Sequence, residues 1–424
     1  MYRPQDSMSV WWLAEPQRPR LIGAISLERG LDPAFSYAPS WVSSREALRL
    51  SEDMPLSAPK VVSSHRDSAP GAIDDARPDR WGERIIARFD NPRRLSVLEY
   101  LYFAGDDRMG ALGISLSMTE YQPAVRPAIP HLGEIDQVSE AVKAVMDGGR
   151  EDPRVYRLLA PGASLGGARP KALIDIEGRS WIAKFSENGD EFCSPSVEHA
   201  AMGLARVAGI DACSTRLIEL PKARAVAIER FDRVGSERRH VISAKTALAA
   251  AGQPESYPDM ALLMRRLGLA ADRAANGEEM FKRMVFNILI DNTDDHHKNH
   301  AFYFDGVNVR LTPAFDVLPI GTGLKYQQMG VGDAGHESTL DNAVSRVREF
   351  GIEADRAMEL MAQVSAAVDG WRMHFEQSGV HQVDIEYLAR FIDSNEMVVQ
   401  RKRAMDGDIK APAVERARKK AQRP

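Results

Sequence analysis

The sequence has little cysteine and no long apolar run. Its 424 residues include two cysteines, Cys193 and Cys213, without a CxxC spacing. Two such cysteines exclude a disulfide scaffold and a cysteine-based metal or redox centre. No segment approaches the ~18 consecutive apolar residues of a membrane-spanning helix, and the apolar patch Val10–Ala14 is closed by Glu15 and Pro16. We therefore expect a cytoplasmic protein that does not enter a membrane.

An excess of basic charge is also missing. The formal net charge is −5 at pH 7, which argues against a protein coated with basic surface for nucleic acid. Hydrophobic residues at 44% and charged residues at 27% are typical of a soluble globular protein. A chain of this length exceeds the size at which one hydrophobic core stops growing, so two or three domains are expected.

The most informative segment is 286–319, which contains Asp294, then Asn299 five positions later, then Asp316 in a short apolar run. Asp, Asn and Asp in this order are typical of protein kinases. There the first Asp orients the substrate hydroxyl, and the Asn and the later Asp hold Mg²⁺ against the ATP phosphates. The pattern therefore predicts a phosphoryl-transfer site, provided that the rest of the chain supplies its other parts.

A glycine-rich loop, 162–171, precedes a predicted hairpin. Glycines let backbone N–H groups approach phosphate oxygens closely. The loop matches neither the GxGxxG pattern of kinases nor the Walker A pattern, so a simple turn is an equal alternative. Downstream, Lys184 lies in a predicted strand and Glu198 in the following predicted helix, and a strand Lys paired with a helix Glu holds the phosphates in kinases.

Two further patterns leave alternatives open. The apolar run Ala225–Phe231 ends where two lobes would meet, so Glu229 and Phe231 are candidate adenine contacts, although an ordinary buried strand end fits equally well. The triplet Asp295, His296, His297 suggests a DHH-type metal-dependent phosphoesterase. No further His and Asp cluster accompanies the triplet, which makes this alternative a distant second.

The predicted elements suggest an α+β protein with a two-lobed protein-kinase-like core and a mainly helical C-lobe, preceded by a small β-rich N-terminal domain. Prolines at 123, 127 and 130 indicate a linker. We expect the β-rich domain over 1–125, the N-lobe with the glycine-rich loop over 126–232 and the helical C-lobe over 233–424. The N-lobe is predicted to run strand, strand, helix, strand, strand, over 171–176, 181–185, 196–208, 214–219 and 223–231.

With these residues in view, the chain resembles the HipA family of serine/threonine kinases, the toxins of bacterial HipA–HipB toxin–antitoxin pairs. The resemblance spans nearly the whole length and is carried by FSYAPSW, DDARPDRWGERII, GDDRMGALG, SLGGARPKALI, AKF, VAIERFDR, NTDDHHKN and TPAFDVLP. It implies an ATP- and Mg²⁺-dependent kinase acting on a protein, with aminoacyl-tRNA synthetases as the substrate class. It also implies a HipB-like DNA-binding antitoxin as partner, so that DNA is contacted only through the antitoxin.

The resemblance assigns roles residue by residue. Asp294 is the expected catalytic base, Asn299 and Asp316 the Mg²⁺ ligands, and Ser164 the site of a self-inactivating autophosphorylation. The expected nucleotide contacts are Ser164, Gly166, Gly167, Lys171, Lys184, Glu198, Glu229, Phe231, His296 and Lys298. The residues between Ser164 and Lys171 depart from the family's best-known loop. A catalytically weak, kinase-like binding partner of the antitoxin is the alternative function.

Overall fold

The computed structural model describes residues 2–28, 32–148, 158–159 and 167–410. The described strands form four antiparallel sheets. The first sheet has the order β4-β3-β2-β1-β5, and three helices accompany its strands within residues 7–115. In chain order these elements are β1 Ser7–Trp12, β2 Arg20–Glu28, β3 Asp32–Tyr37, α1 Pro39–Val42, β4 Val61–Val62, α2 Arg80–Ile85, α3 Val97–Phe103 and β5 Leu112–Ser115.

The second sheet has the order β6-β7-β9-β8 and carries one long helix after its first hairpin. The turn between β6 and β7 places Glu177 and Gly178 at φ 55° and 76°, the backbone conformation that two-residue hairpin turns require. The hairpin predicted from the sequence is therefore present. The elements of this part are α4 Ile135–Met146, β6 Lys171–Ile176, β7 Arg179–Phe185, α5 Ser194–Val207, β8 Thr215–Glu219 and β9 Arg224–Glu229.

The remainder of the described chain is mainly helical. Helix α8 is its centre, with buried Met280, Phe281 and Met284 packed between neighbouring helices. The elements are β10 Arg233–Val234, β11 Glu237–Arg238, β12 Val241–Ser243, α6 Ala244–Ala251, α7 Tyr257–Leu267, α8 Arg273–Leu289, β13 Ala301–Phe304, β14 Val309–Leu311, α9 Leu340–Ser345, α10 Ala354–Asp369, α11 Trp371–Gln377, α12 Gln382–Ile392 and α13 Asn395–Met405.

The predicted order of strands and helices in 171–231 is confirmed, and two helices of the chain differ locally from the prediction. The apolar stripe over 353–375 predicts one helix. The structure instead has two, α10 and α11, because the helix is interrupted at Gly370. Ser194 followed by Pro195 predicts Ser194 as the N-cap of α5, whereas Cys193 holds that position and Ser194 is the first helical residue. The α+β class is confirmed, and the domain boundaries at 125 and 232 stay a prediction. No helix in the described part of the chain is both long and apolar enough to cross a membrane.

The first 125 residues, called the N-terminal region below, pack against both later parts. Asp75 accepts hydrogen bonds from the backbone N and the Oγ of Ser243 at 2.7 and 2.6 Å. Trp81 belongs to a hydrophobic cluster with α4 and one face of the second sheet, while Met109 packs on the opposite face with Leu173 and Ile182. The N-terminal region therefore reaches both faces of the second sheet.

Candidate active site

A cleft of about 510 Å³, a volume that includes the open solvent at its mouth, lies between the second sheet and the loop that follows α8. Its lining combines an apolar part with a charged part and includes most of the residues predicted from the sequence. The lining residues are Met109, Lys171, Ile182, Lys184, Ile228, Glu229, Arg230, Phe231, Lys298, Asn299, Phe315 and Asp316.

Lys184 lies at the charged end, between two carboxylates. Its Nζ is 2.6 Å from Oε1 of Glu198 and also donates to Oδ1 of Asp316. Burial by itself would lower the pKa of Lys184, but the two carboxylates outweigh it and raise the pKa above its ordinary value. The ammonium is therefore charged and held in place at neutral pH.

The local sequence explains this arrangement. In α5, Val197, Ala200, Ala201 and Leu204 are buried at the i, i+3, i+4, i+7 spacing of a helix face that packs on a core. Glu198 lies next to this face and is itself 2% exposed. The helix therefore directs Glu198 toward the sheet, where Lys184 completes the pair.

Asp316 comes to the cleft through an unusual backbone conformation. Its φ is +59°, in the left-handed region that side chains other than glycine rarely adopt, and such strain clusters at functional sites. Burial raises the pKa of Asp316, but Lys184 more than compensates and lowers it to about 2. The carboxylate is therefore ionised at neutral pH, as a metal ligand must be.

The loop after α8 separates the two adjacent aspartates. Asp295 is 3% exposed and accepts hydrogen bonds from Asn287 at 2.9 Å, from His300 at 2.7 Å and from the hydroxyl of Tyr257. Asp295 is thus occupied in holding the loop. Asp294 is exposed, and only its Oδ1 contact with Gln328 is seen among the described residues.

The carboxylate of Asp294 is partly shielded although the residue as a whole is exposed. Shielding from water raises the pKa of Asp294, and the negative charge of Asp316 raises it further. His296 lowers this pKa, but by less than the shielding raises it. A raised pKa improves a carboxylate as a proton acceptor near neutral pH. The geometry therefore favours Asp294 over Asp295 for contact with a substrate hydroxyl.

Asn299 supplies a second oxygen to the charged end. It is 6% exposed, and its backbone N donates to the carbonyl of His296 at 2.8 Å, which closes the loop. Mg²⁺ prefers oxygen ligands and is commonly bound by one or two carboxylates or amides together with substrate phosphates and water. Asn299 and the ionised Asp316 fit this requirement.

The residues of the DHH triplet do not converge on one point. Asp295 contacts His300, and His297 Nδ1 lies 2.6 Å from Glu255. Within the described ranges, no group of three or more His, Cys, Asp or Glu side chains is placed to hold a metal ion. The arrangement disfavours a phosphoesterase centre built from these side chains.

The apolar end of the cleft is lined by aromatic and aliphatic side chains. The rings of Phe231 and Phe315 lie 5.3 Å apart between centroids, with Ile182, Ile228 and Met109 around them. Aromatic and aliphatic side chains of this kind are suited to contact with a purine base. The carboxylate of Glu229 contacts Arg179 at 2.9 Å, and its backbone N donates to the carbonyl oxygen of Ser214 at 3.0 Å, so both groups already have partners.

The glycine-rich loop is described only from Gly167 onward, and Ser164 and Gly166 lie outside the described residues. Gly167 has a φ of +104° and a Cβ there would lie 2.8 Å from Lys171 Nζ, so glycine suits both the backbone and the space. Lys171 lines the cleft and forms an ion pair of 2.6 Å with Asp79.

Sequence patterns missed several residues of the site. Met109 and Asp79 come from the N-terminal region, and Asp79 is separated from Lys171 by 92 positions. Both lie inside motifs that carry the family resemblance, yet no spacing rule connects these motifs with the cleft. Gln328 follows the expected site segment and gives no sequence signal.

Two family models match the chain, the HipA N-terminal domain over residues 17–115 and the HipA-like C-terminal domain over residues 163–371. A putative kinase, Y4mE, from Sinorhizobium fredii is 22% identical over 334 residues, covering 73% of this chain and 76% of that protein. The serine/threonine-protein kinase toxin HipA of Shewanella oneidensis is 24% identical over 214 residues, covering 42% of this chain and 49% of that protein.

A solved structure supports the fold. The chain is similar to a chain of the Shewanella oneidensis toxin–antitoxin complex of HipA, HipB and operator DNA, with a TM-score of 0.65, 16% identity and coverage of 93% and 97% of the two chains. This similarity confirms the predicted kinase-like fold. The two HipA family models, which together match most of the chain, show that it belongs to the HipA family.

Proposed function

We propose that this protein is an ATP- and Mg²⁺-dependent serine/threonine protein kinase and the toxin of a toxin–antitoxin pair. The observation that carries the proposal is the position of Lys184, which contacts both Glu198 and Asp316 in a cleft with an apolar end. A strand lysine, a helix glutamate and a metal-binding aspartate assembled in this way are the requirements of an active kinase cleft.

In the proposed mechanism each residue has one task. Lys184 and Lys171 bind phosphate oxygens, and Asp294 orients the substrate hydroxyl and accepts its proton. Asn299 and Asp316 would hold Mg²⁺, which neutralises charge that develops on the transferred phosphoryl group. Phe231 lines the base pocket.

Other residues are also proposed to contact the nucleotide or to shape its site. Glu198 fixes Lys184, the backbone at Glu229 meets the adenine, and His296 and Lys298 shape the loop beside the phosphates. Ser164, Gly166 and Gly167 are further proposed nucleotide contacts.

The relatives support a proposal for the biological role. A HipB-like DNA-binding antitoxin is the proposed partner, because the similar structure is a complex of HipA with HipB and operator DNA. The proposed substrate is an aminoacyl-tRNA synthetase. We also propose that phosphorylation of Ser164 inactivates the kinase, since a phosphate adds about −1.5 to −2 charges and would repel ATP phosphates.

Nucleotide binding is the first test. The melting temperature of the wild-type protein should rise with ATP and rise further with ATP and Mg²⁺, because ligands that bind the folded state stabilise it. Asp316→Asn should remove the additional Mg²⁺-dependent rise, and the surface variant Asp341→Asn should behave as wild type. The absence of any ATP-dependent rise in the wild-type protein would contradict the kinase and favour a protein that only binds a partner.

A further inference from the structure

The charged end of the cleft includes a carboxylate from the N-terminal region. We propose that Asp79 is a positioning residue for ATP, which holds the Lys171 ammonium where the nucleotide phosphates bind. This inference rests on the proposed kinase function and adds a residue to it. It also gives the N-terminal region a direct part in nucleotide binding.

Residues at the start of α2 bind both the ammonium group and the backbone carbonyl of Lys171. Asp79 is the N-cap of α2, and its Oδ1 accepts from the backbone N of Gly82 at 2.8 Å. Its Oδ2 accepts from Lys171 Nζ at 2.6 Å, with the two side chains 5% and 4% exposed. Two positions later, the indole N–H of Trp81 donates to the carbonyl oxygen of Lys171 at 2.8 Å. Backbone and ammonium of Lys171 are therefore both fixed by one turn of helix.

The sheet register explains why Lys171 needs this partner. Lys171 lies directly opposite Lys184 in the β6–β7 pair, so both side chains leave the same face, and like charges at such positions repel. Glu198 and Asp316 neutralise Lys184, and Asp79 neutralises Lys171. We expect that loss of the Asp79 charge draws Lys171 toward Asp316, the proposed Mg²⁺ ligand. The positions of all these charges are therefore coupled.

We expect this coupling to affect binding of the ATP phosphates and not binding of the adenine base. Lys171, Lys184 and Asp316 form the charged end of the cleft, whereas Phe231 and Phe315 line the apolar end. Loss of Asp79 should therefore weaken ATP binding and leave adenosine binding unchanged. A merely structural role of Asp79 in α2 would affect both ligands or neither.

Calorimetric titration of the full chain with ATP and with adenosine, both with Mg²⁺, tests the proposal. Asp79→Asn keeps the size of the side chain, and Asp79→Ser keeps a good helix cap, but both remove the charge. We expect each to raise the Kd for ATP about tenfold, the effect of losing one hydrogen bond to a charged group. Lys171→Met should have an effect at least as large. The double variant of Lys171→Met and Asp79→Asn should have the same Kd for ATP as Lys171→Met alone, because both substitutions remove the same interaction.

The control is Glu52→Gln. Glu52 forms a 2.6 Å ion pair with Arg266 that also joins the N-terminal region to the helical part, outside the cleft. This variant should bind ATP as wild type does. An unchanged or lower Kd for ATP in folded Asp79→Asn and Asp79→Ser, an equal loss of adenosine binding, or additive effects in the double variant would overturn the inference. A wild-type protein that binds no ATP would instead refute the proposed function.

Discussion

Replacing Asp232 by asparagine should destabilise the protein where the end of β9 meets the N-terminal region. Asp232 is fully buried and accepts hydrogen bonds from Arg230 at 2.9 and 2.8 Å, from Arg233 at 2.6 Å and from the backbone N of Gly110 at 2.7 Å. Arg230 also donates to the carbonyl oxygens of residues 107 and 108. This charged network joins the end of β9 to the N-terminal region.

The size of the effect follows from the pKa of Asp232. Burial alone would raise this pKa, but Arg230 and Arg233 outweigh burial and lower it from the ordinary 3.8 to about 2. The difference corresponds to about 2 kcal/mol of stability at pH 7. Because the folded-state pKa lies below the unfolded value, this contribution is complete above about pH 5 and falls to roughly half at pH 3.

Urea unfolding of wild type and Asp232→Asn at pH 7 and pH 3 measures this contribution directly. The variant should be less stable at pH 7 by about 2 kcal/mol or more, since the buried Arg230 and the partly buried Arg233 lose their counter-charge. The gap between the two proteins should narrow by about 1 kcal/mol at pH 3. Asp341→Asn, which breaks the exposed pair with Arg403, should cost less than about 1 kcal/mol at pH 7. We would reject this argument if wild type and Asp232→Asn had the same free energy of unfolding at pH 7. We would also reject it if their difference were as large at pH 3 as at pH 7.

Three further predictions concern the cleft. Met109→Ala should weaken ATP and adenosine binding by the same factor in calorimetry, because Met109 lines the apolar end; a loss confined to ATP would contradict this. Asp295→Asn should lower the melting temperature, because Asp295 has three buried hydrogen-bond partners, whereas Asp294→Asn should leave the melting temperature unchanged; equal melting temperatures for the two variants would show that the loop does not depend on Asp295. In a pH profile of kcat, the rate should fall as the pH drops through the pKa of Asp294, and that acid limb should lie above the ordinary pKa of aspartate; an acid limb at or below this value would argue against Asp294 as the base.

The elements of the second sheet could be predicted from the sequence because each of them depends on residues that are close neighbours in the chain. The turn at Glu177 and Gly178 and the apolar face of α5 are encoded within a few positions, and they place Lys184 and Glu198 where the structure has them. The spacing of Asp294 and Asn299 likewise lies within one loop. These parts of the site were therefore predicted from the sequence.

Contacts between distant segments were not predicted. The pairing of Asp79 with Lys171 depends on how the N-terminal region packs on the second sheet, and the direct contact of Lys184 with Asp316 spans 132 positions. The positive φ of Asp316 also has no local sequence signal, because aspartate adopts this conformation only where the surrounding structure imposes it. Tertiary packing decides these features, and no spacing rule contains it.

Transfer of labelled phosphate is the most direct test of the central claim. The protein is incubated with γ-labelled ATP, Mg²⁺ and a cell lysate, and labelled proteins and residues, including Ser164, are identified by mass spectrometry. Wild type should label serine or threonine in at least one protein, and folded Asp294→Ala and Asp316→Asn should label none. Labelling by folded Asp294→Ala at the wild-type rate would contradict the account.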